Sequence, residues 1–169
     1  MDLKPFIRPV KDFPKPGILF WDITPLLNDP KAFRYAIDAL AERLGGDGAT
    51  KIVSAEARGF ILGAPLAHKM GLGCVPVRKK GKLPYSTISV TYDLEYGTDS
   101  LFMHADAVAP GEKVLLVDDV LATGGTMAGV VDLVEKAGGV IGGIGFLIEL
   151  SYLKGKEKLN RPFTTLLTF

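Results

Sequence analysis

Two adjacent carboxylates, Asp118 and Asp119, close an apolar run, Val114 to Val117, and are followed at once by Ala122-Thr-Gly-Gly-Thr126. Paired acids carry a large desolvation cost unless they face water, a metal ion or hydroxyls that donate to them. The two hydroxyls of a ribose would meet that need. The loop behind them adds glycines that allow close backbone approach, two side-chain hydroxyls, and N–H groups free at the start of a helix, which together suit one phosphate. It lacks both a lysine and the Gly-x-x-x-x-Gly-Lys spacing, so a nucleoside triphosphate is not the expected ligand.

The elements that must position these groups can be read on either side of them. Val114 to Val117 are aliphatic without alternation, as in a parallel strand covered on both faces. The acids then lie at its carboxyl end, where open α/β sheets bind ligands. Met127, Val130, Val131, Leu133, Val134 and Ala137 recur at helical spacing after the loop. The same strand, polar tip and helix order recurs upstream: Ile52 to Ser54, then Glu56-Ala-Arg-Gly59, then Phe60, Ile61, Ala64, Leu66, Ala67 and Met70. Arg58 is there either an anion clamp at a helix start or an ordinary solvated arginine.

Three further stretches leave two readings each. Arg78-Lys-Lys-Gly-Lys-Leu-Pro84, with Lys82 near its end, is the dense basic run of the chain. It is a solvated loop or a neutraliser of polyphosphate, and too short for a nucleic-acid surface. Glu95 lies between Leu94 and Tyr96 in the turn of a hairpin-like excursion, Ser86 to His104, as a catalytic acid or base on a lid or as charged surface. Leu19, Phe20 and Trp21 sit in the proline-rich segment Met1 to Asp29, which is an arm that only packs or one wall of a flat apolar pocket for a planar base.

Asp29 and Pro30 are a helix start, and Phe33, Ala36, Ile37, Leu40, Ala41 and Leu44 continue at helical spacing until Gly45-Gly46. Cys74-Val-Pro-Val77 is a short strand, Val140 to Leu150 a glycine-interrupted buried strand, and Phe163 to Phe169 an apolar strand or edge. Strands alternating with helices imply a mostly parallel, doubly wound α/β sheet. The 169 residues are the size of one domain, with residues 1–29 as a cap and 30–169 as the core. A net charge of +1 gives no general case for nucleic acid or membrane surfaces. Cys74 has no partner cysteine and is expected to be a small buried hydrophobe, and His68 has no second ligand at metal spacing. With no secretory leader pattern and no run of membrane-spanning length, a soluble cytoplasmic protein is expected.

The apolar strand, Asp118-Asp119 and Ala122 to Thr126 together resemble the phosphoribosyl diphosphate motif of the type I phosphoribosyltransferases. Phe13 to Pro25, Glu56 to Phe60, Arg78 to Pro84, Tyr92 to Gly97 and Glu149 to Leu159 are similar, in chain order, to the adenine-specific members of that family. The resemblance implies transfer of a 5-phosphoribosyl group from phosphoribosyl diphosphate to adenine, with Mg²⁺ held mainly by substrate and water and no direct protein ligand. It also implies site roles: Phe20 and Val120 around the base with Leu19 and Trp21 beside them, Asp118 and Asp119 on the ribose, and Ala122, Thr123, Gly124, Gly125 and Thr126 on the 5′-phosphate. Arg58, Arg78 and Lys82 would face the diphosphate, Glu95 would lie on the catalytic loop, and the chain would form a homodimer. Trp21 stands where some relatives have arginine or tyrosine, and Phe102 occupies a place often held by an acid near the loop. Two other readings share the motif: transfer to hypoxanthine, guanine or xanthine, and a non-catalytic regulator that senses phosphoribosyl diphosphate while binding nucleic acid. The second would want a helix-turn-helix or a broad basic face, and the sequence shows neither.

Overall fold

The computed structural model describes residues 1–93 and 98–169. After a 3-10 turn at Lys4–Phe6 the chain forms a short antiparallel pair, β1 (Arg8–Lys11) and β2 (Leu19–Asp22), followed by a one-turn helix, α1 (Thr24–Asn28). The core then alternates: α2 (Pro30–Leu44), β3 (Lys51–Ala55), α3 (Arg58–Met70) and β4 (Gly73–Lys79) come first. A hairpin of β5 (Thr87–Asp93) and β6 (Thr98–His104) interrupts the alternation, which resumes with β7 (Lys113–Leu121), α4 (Gly125–Lys136) and β8 (Val140–Glu149). A short helix, α5 (Gly155–Leu159), and β9 (Thr164–Thr168) complete it. The seven-stranded sheet runs β5-β6-β4-β3-β7-β8-β9. The five strands from β4 to β9 pair in parallel, and only the hairpin is antiparallel.

Local chemistry accounts for these elements. Asp29 caps α2 by accepting the N–H groups of Lys31 at 2.9 Å and Ala32 at 2.8 Å, while Pro30 takes a position whose N–H would have no helical partner. Gly45 ends the helix with φ +64. On β7, Leu115 and Val117 enter one apolar layer with Leu40 of α2 and Leu62 of α3. Val114 and Leu116 enter the other layer with Val130 and Val134 of α4. Each fully buried leucine contributes about 1.5–3 kcal/mol, which is why this strand shows no polar alternation before its acids.

Leu3, Ile7, Ile23 and Leu26 of the N-terminal segment are buried in the same layer as α2. The proline-rich stretch is therefore packed, and it contains a 3-10 turn at Lys4–Phe6, the β1–β2 pair and α1. Two details differ from expectation. The basic run begins inside the sheet, because Arg78 and Lys79 are the last residues of β4 and pair with Phe102 and Leu101 of β6. Cys74 is exposed, not buried: it lies at the start of β4, before β6 has joined that edge.

Candidate active site

The carboxyl ends of three neighbouring parallel strands, β4, β3 and β7, meet at one cleft of about 990 Å³. Ligand clefts in open α/β sheets form there because the loops leaving adjacent strands diverge. β7 delivers Asp118 and Asp119, and its last residues, Val120 and Leu121, also line the cleft. The strand thus runs past the acids instead of ending at them. The loop Ala122 to Gly124 follows along the cleft, with Gly125 and Thr126 in the first turn of α4. Gly124, at φ +83, precedes the helix in a left-handed conformation that favours glycine. The turn after β3 delivers Glu56 and Ala57, joined by a cis bond, and Arg58 opens α3. β4 delivers Lys79.

Both acids are buried, Asp118 at 9% and Asp119 at 5% exposure, so each needs a partner. The Arg58 guanidinium donates through Nε to Asp119 Oδ2. Asp118 Oδ1 accepts the backbone N–H of Asp119 at 2.9 Å. Burial pushes the Asp118 carboxyl well above the usual carboxylate range, and the charge of Asp119 beside it adds to the effect. α3 can approach this closely because Gly59 has no side chain; a Cβ there would lie 2.7 Å from Asp118 Oδ1.

The opposite wall is the β1–β2 cap. Neighbours on a strand face opposite ways, and Phe20 and Trp21 diverge accordingly. The Phe20 ring meets Phe13 edge-on at 5.1 Å and carries the Arg58 guanidinium 5.1 Å from its centroid. Trp21 borders the cleft but turns its indole to Phe169 and Tyr152. Leu150, Tyr152 and Leu153, just beyond β8, close the same side.

The structure thus brings Leu19, Phe20, Trp21, Arg58, Asp118, Asp119, Val120 and Ala122 to Thr126 around one cleft. Arg78 and Lys82 do not line it. Arg78 Nε donates to Glu56 Oε2 at 2.7 Å and its Nη1 to the Lys82 carbonyl at 3.1 Å, so the arginine holds the strand end and its own loop together. Lys79 is the basic residue of that run that reaches the cleft, tied to Asp99 on β6 at 2.9 Å. Glu95 lies outside the described residues. Lys79, Glu56 and Tyr152 had no role in the sequence reading, although each lies in a stretch that carried the resemblance.

Among the described residues no group of three or more His, Cys, Asp or Glu side chains converges as a metal site. Asp119 and Glu56 already accept from arginines. Such a donor set fits Mg²⁺ that arrives on substrate oxygens and keeps its waters, the usual habit of that ion.

A doubly wound sheet with paired acids and a glycine-bearing loop at one strand tip matches a known family. The model of the phosphoribosyl transferase domain matches residues 23–158, and the chain belongs to that family. Its relatives narrow the branch to the adenine phosphoribosyltransferases. The adenine phosphoribosyltransferase of Solidesulfovibrio magneticus is 67% identical over 160 residues, covering 95% of this chain and 94% of its own. The crystal structure of that enzyme from Thermoanaerobacter pseudethanolicus matches with a TM-score of 0.96 at 53% identity, over 99% of this chain and 98% of the other. The Saccharomyces cerevisiae enzyme, complexed with an imino-altritol bisphosphate and adenine, matches with a TM-score of 0.91 at 41% identity, over 96% and 95%.

Proposed function

We propose that this chain transfers the 5-phosphoribosyl group of phosphoribosyl diphosphate to N9 of adenine, giving AMP and diphosphate in purine salvage. The observation that carries this reading is the convergence, at one cleft, of buried paired acids, an anion loop and a cap aromatic already stacked on an arginine. Asp118 and Asp119 accept the ribose 2′- and 3′-hydroxyls, and Ala122 to Thr126 hold the 5′-phosphate. Arg58 faces the diphosphate, with Arg78 and Lys82 supporting that side. Phe20 and Val120 sandwich the base, and the backbone of Leu19 to Trp21 reads its edge.

In the reaction the C1′–oxygen bond to diphosphate breaks, its electron pair leaves with the diphosphate, and N9 bonds to C1′ from the opposite face. Positive charge grows on the sugar as it grows negative on the leaving group, so a guanidinium beside the diphosphate stabilises departure. Mg²⁺, held mainly by substrate and water and not by a protein ligand, would supply neutralisation of the charge on the leaving group. Glu95 takes the proton that N9 gives up.

We also read the chain as one domain, with residues 1–29 as cap and 30–169 as core, acting as a homodimer in the cytoplasm; the family resemblance supports the dimer and the location. No helix among the described residues is long and apolar enough to cross a membrane.

The test is incubation with Mg²⁺, phosphoribosyl diphosphate and each purine base in turn. AMP should form from adenine, with kcat/KM about 10⁴-fold above hypoxanthine and guanine, since a 6-oxo purine reverses the hydrogen-bond polarity of that edge. Equal use of hypoxanthine would remove adenine as the substrate, and no nucleotide from any base would remove the transferase.

A further inference from the structure

Glu149 to Leu159 carries part of the family resemblance, yet the reading above gives its second half no role. The structure shows what that half touches. α5 starts at Gly155, which is buried, and ends at Leu159, which joins Met127 and Val131 of α4 in one apolar layer. Upstream, Ser151 is fixed by two bonds to the Phe169 carbonyl, 2.9 Å from its N–H and 2.8 Å from its hydroxyl. Gly155 is therefore held from both sides, and it is held against the anion loop. A Cβ at 155 would lie 2.2 Å from the Ala122 carbonyl oxygen and 3.0 Å from the Gly124 nitrogen. The reverse clash is equally close, since a Cβ at 124 would lie 2.5 Å from the Gly155 oxygen.

The two glycines answer different demands. Gly124 has a positive φ, which by itself favours glycine. The backbone of Gly155 lies outside that region, at the first position of α5. Chain conformation does not call for glycine at 155, and close approach to the loop does.

We propose that Gly155 is a positioning residue for phosphoribosyl transfer: its bare Cα is the surface against which Ala122 to Gly124 are set, fixing where the loop's N–H groups meet the 5′-phosphate. The proposal rests on reading Ala122 to Thr126 as the 5′-phosphate loop. A methyl group at 155 must push the Ala122 carbonyl back by about 1 Å to reach ordinary contact, and a displacement of that size at a binding group costs up to about 10²-fold.

The experiment compares Gly155→Ala with Lys156→Ala, an exposed neighbour on the same helix. Gly155→Ala should raise the KM for phosphoribosyl diphosphate and the Kd for ribose 5-phosphate by ~10- to 100-fold, with the KM for adenine at saturating phosphoribosyl diphosphate unchanged. Lys156→Ala should change none of these. A folded Gly155→Ala protein with an unaltered phosphoribosyl diphosphate KM, or with both KM values raised alike, overturns the proposal. If Gly155→Ala does not fold, hydrogen exchange on the unsubstituted chain decides. Ribose 5-phosphate should then protect amides in 122–126 and 154–157 together, and protection confined to 122–126 overturns the proposal. No protection at 122–126 would overturn the phosphate-loop reading itself, and this proposal with it.

Discussion

The indole of Trp21 stacks on the ring of Phe169, with centroids 3.9 Å apart and planes 20° from parallel. Its N–H donates to the Tyr152 hydroxyl at 3.3 Å. Phe169 is itself fixed, donating its N–H to the Glu149 carbonyl at 2.9 Å and accepting from Ser151. The Trp21 side chain thus anchors β2 to the far side of the sheet, which on the proposed reading leaves the backbone of residues 19–21 to face the base. Such stacking is worth about 0.5–1.5 kcal/mol beyond the area it buries. Phe169→Ala should raise the KM for adenine several-fold while that for phosphoribosyl diphosphate stays put, and Phe169→Tyr should restore it. Steady-state kinetics with each substrate varied will decide, and a parallel shift of both KM values would deny the pair its link to the base.

Asp118 should show a conflict between stability and function. Its carboxyl is raised above its ordinary value of 3.8 by burial and then by Asp119. The folded chain therefore holds a proton that the unfolded chain releases, and stability falls as pH rises from 3.8 toward the raised value. Asp118→Asn removes that cost and keeps an acceptor for the Asp119 N–H. Its melting temperature at pH 7 should equal or exceed the parent's, the gain vanishing below pH 3.8, while transfer collapses. Thermal melts across that range, with activity at pH 7, check both halves; a loss of stability at neutral pH would contradict the buried-charge argument.

Glu95→Gln should lower kcat by ~10²- to 10⁴-fold, the usual contribution of a positioned acid or base, with the Kd for phosphoribosyl diphosphate unchanged. Arg58→Ala should behave differently and raise the KM for phosphoribosyl diphosphate as well, because a clamp on the diphosphate also touches the ground state. Calorimetric Kd values beside turnover separate the two. Unchanged turnover in Glu95→Gln would strike that residue from the mechanism.

Glu112 lies at the opposite end of the sheet, where β3 and β7 begin. Its carboxylate accepts from Thr50 Oγ1 at 2.6 Å, the Ala109 N–H at 2.8 Å and Lys51 Nζ at 2.9 Å. The Thr50 hydroxyl, then the Ala109 N–H and then Lys51 hold it down from 4.5 to about 2. A depressed carboxyl stabilises the fold above its unfolded value, and that contribution is lost as pH falls through the folded one. Glu112→Gln should therefore be less stable than the parent at neutral pH, the gap narrowing between pH 4.5 and about 2, with KM values untouched. Urea melts over that range test it; a gap independent of pH would show that ionisation of Glu112 is not its source.

The parts of the site legible in the sequence were those that one contiguous run supplies. Val114 to Thr126 contains its own strand, acids, loop and helix start, so apolar patterning and glycine chemistry located them together. The alternation of strands and helices likewise set the sheet. What patterning could not reach depends on contacts between distant segments. Lys79 enters the cleft because β4 extends that far and Asp99 of β6 receives its ammonium group. Trp21 turns away because Phe169 lies beside it, and Cys74 is exposed because its strand begins before its neighbour arrives. Gly155 read as part of a charged turn, since nothing in its own surroundings announces a backbone from thirty residues upstream.

The guanidinium of Arg58 lies over the face of Phe20 while it bonds Asp119. One side chain thus covers the surface on which a purine would stack and occupies an acid that would hold the sugar. If Arg58 turns to the diphosphate of the sugar substrate and the ribose hydroxyls replace it on Asp119, as the proposed function has it, that substrate would uncover the aromatic face as it enters. On that reading phosphoribosyl diphosphate would bind first and adenine second. Adenine should bind weakly to the free protein and tightly once the diphosphate has drawn the arginine aside.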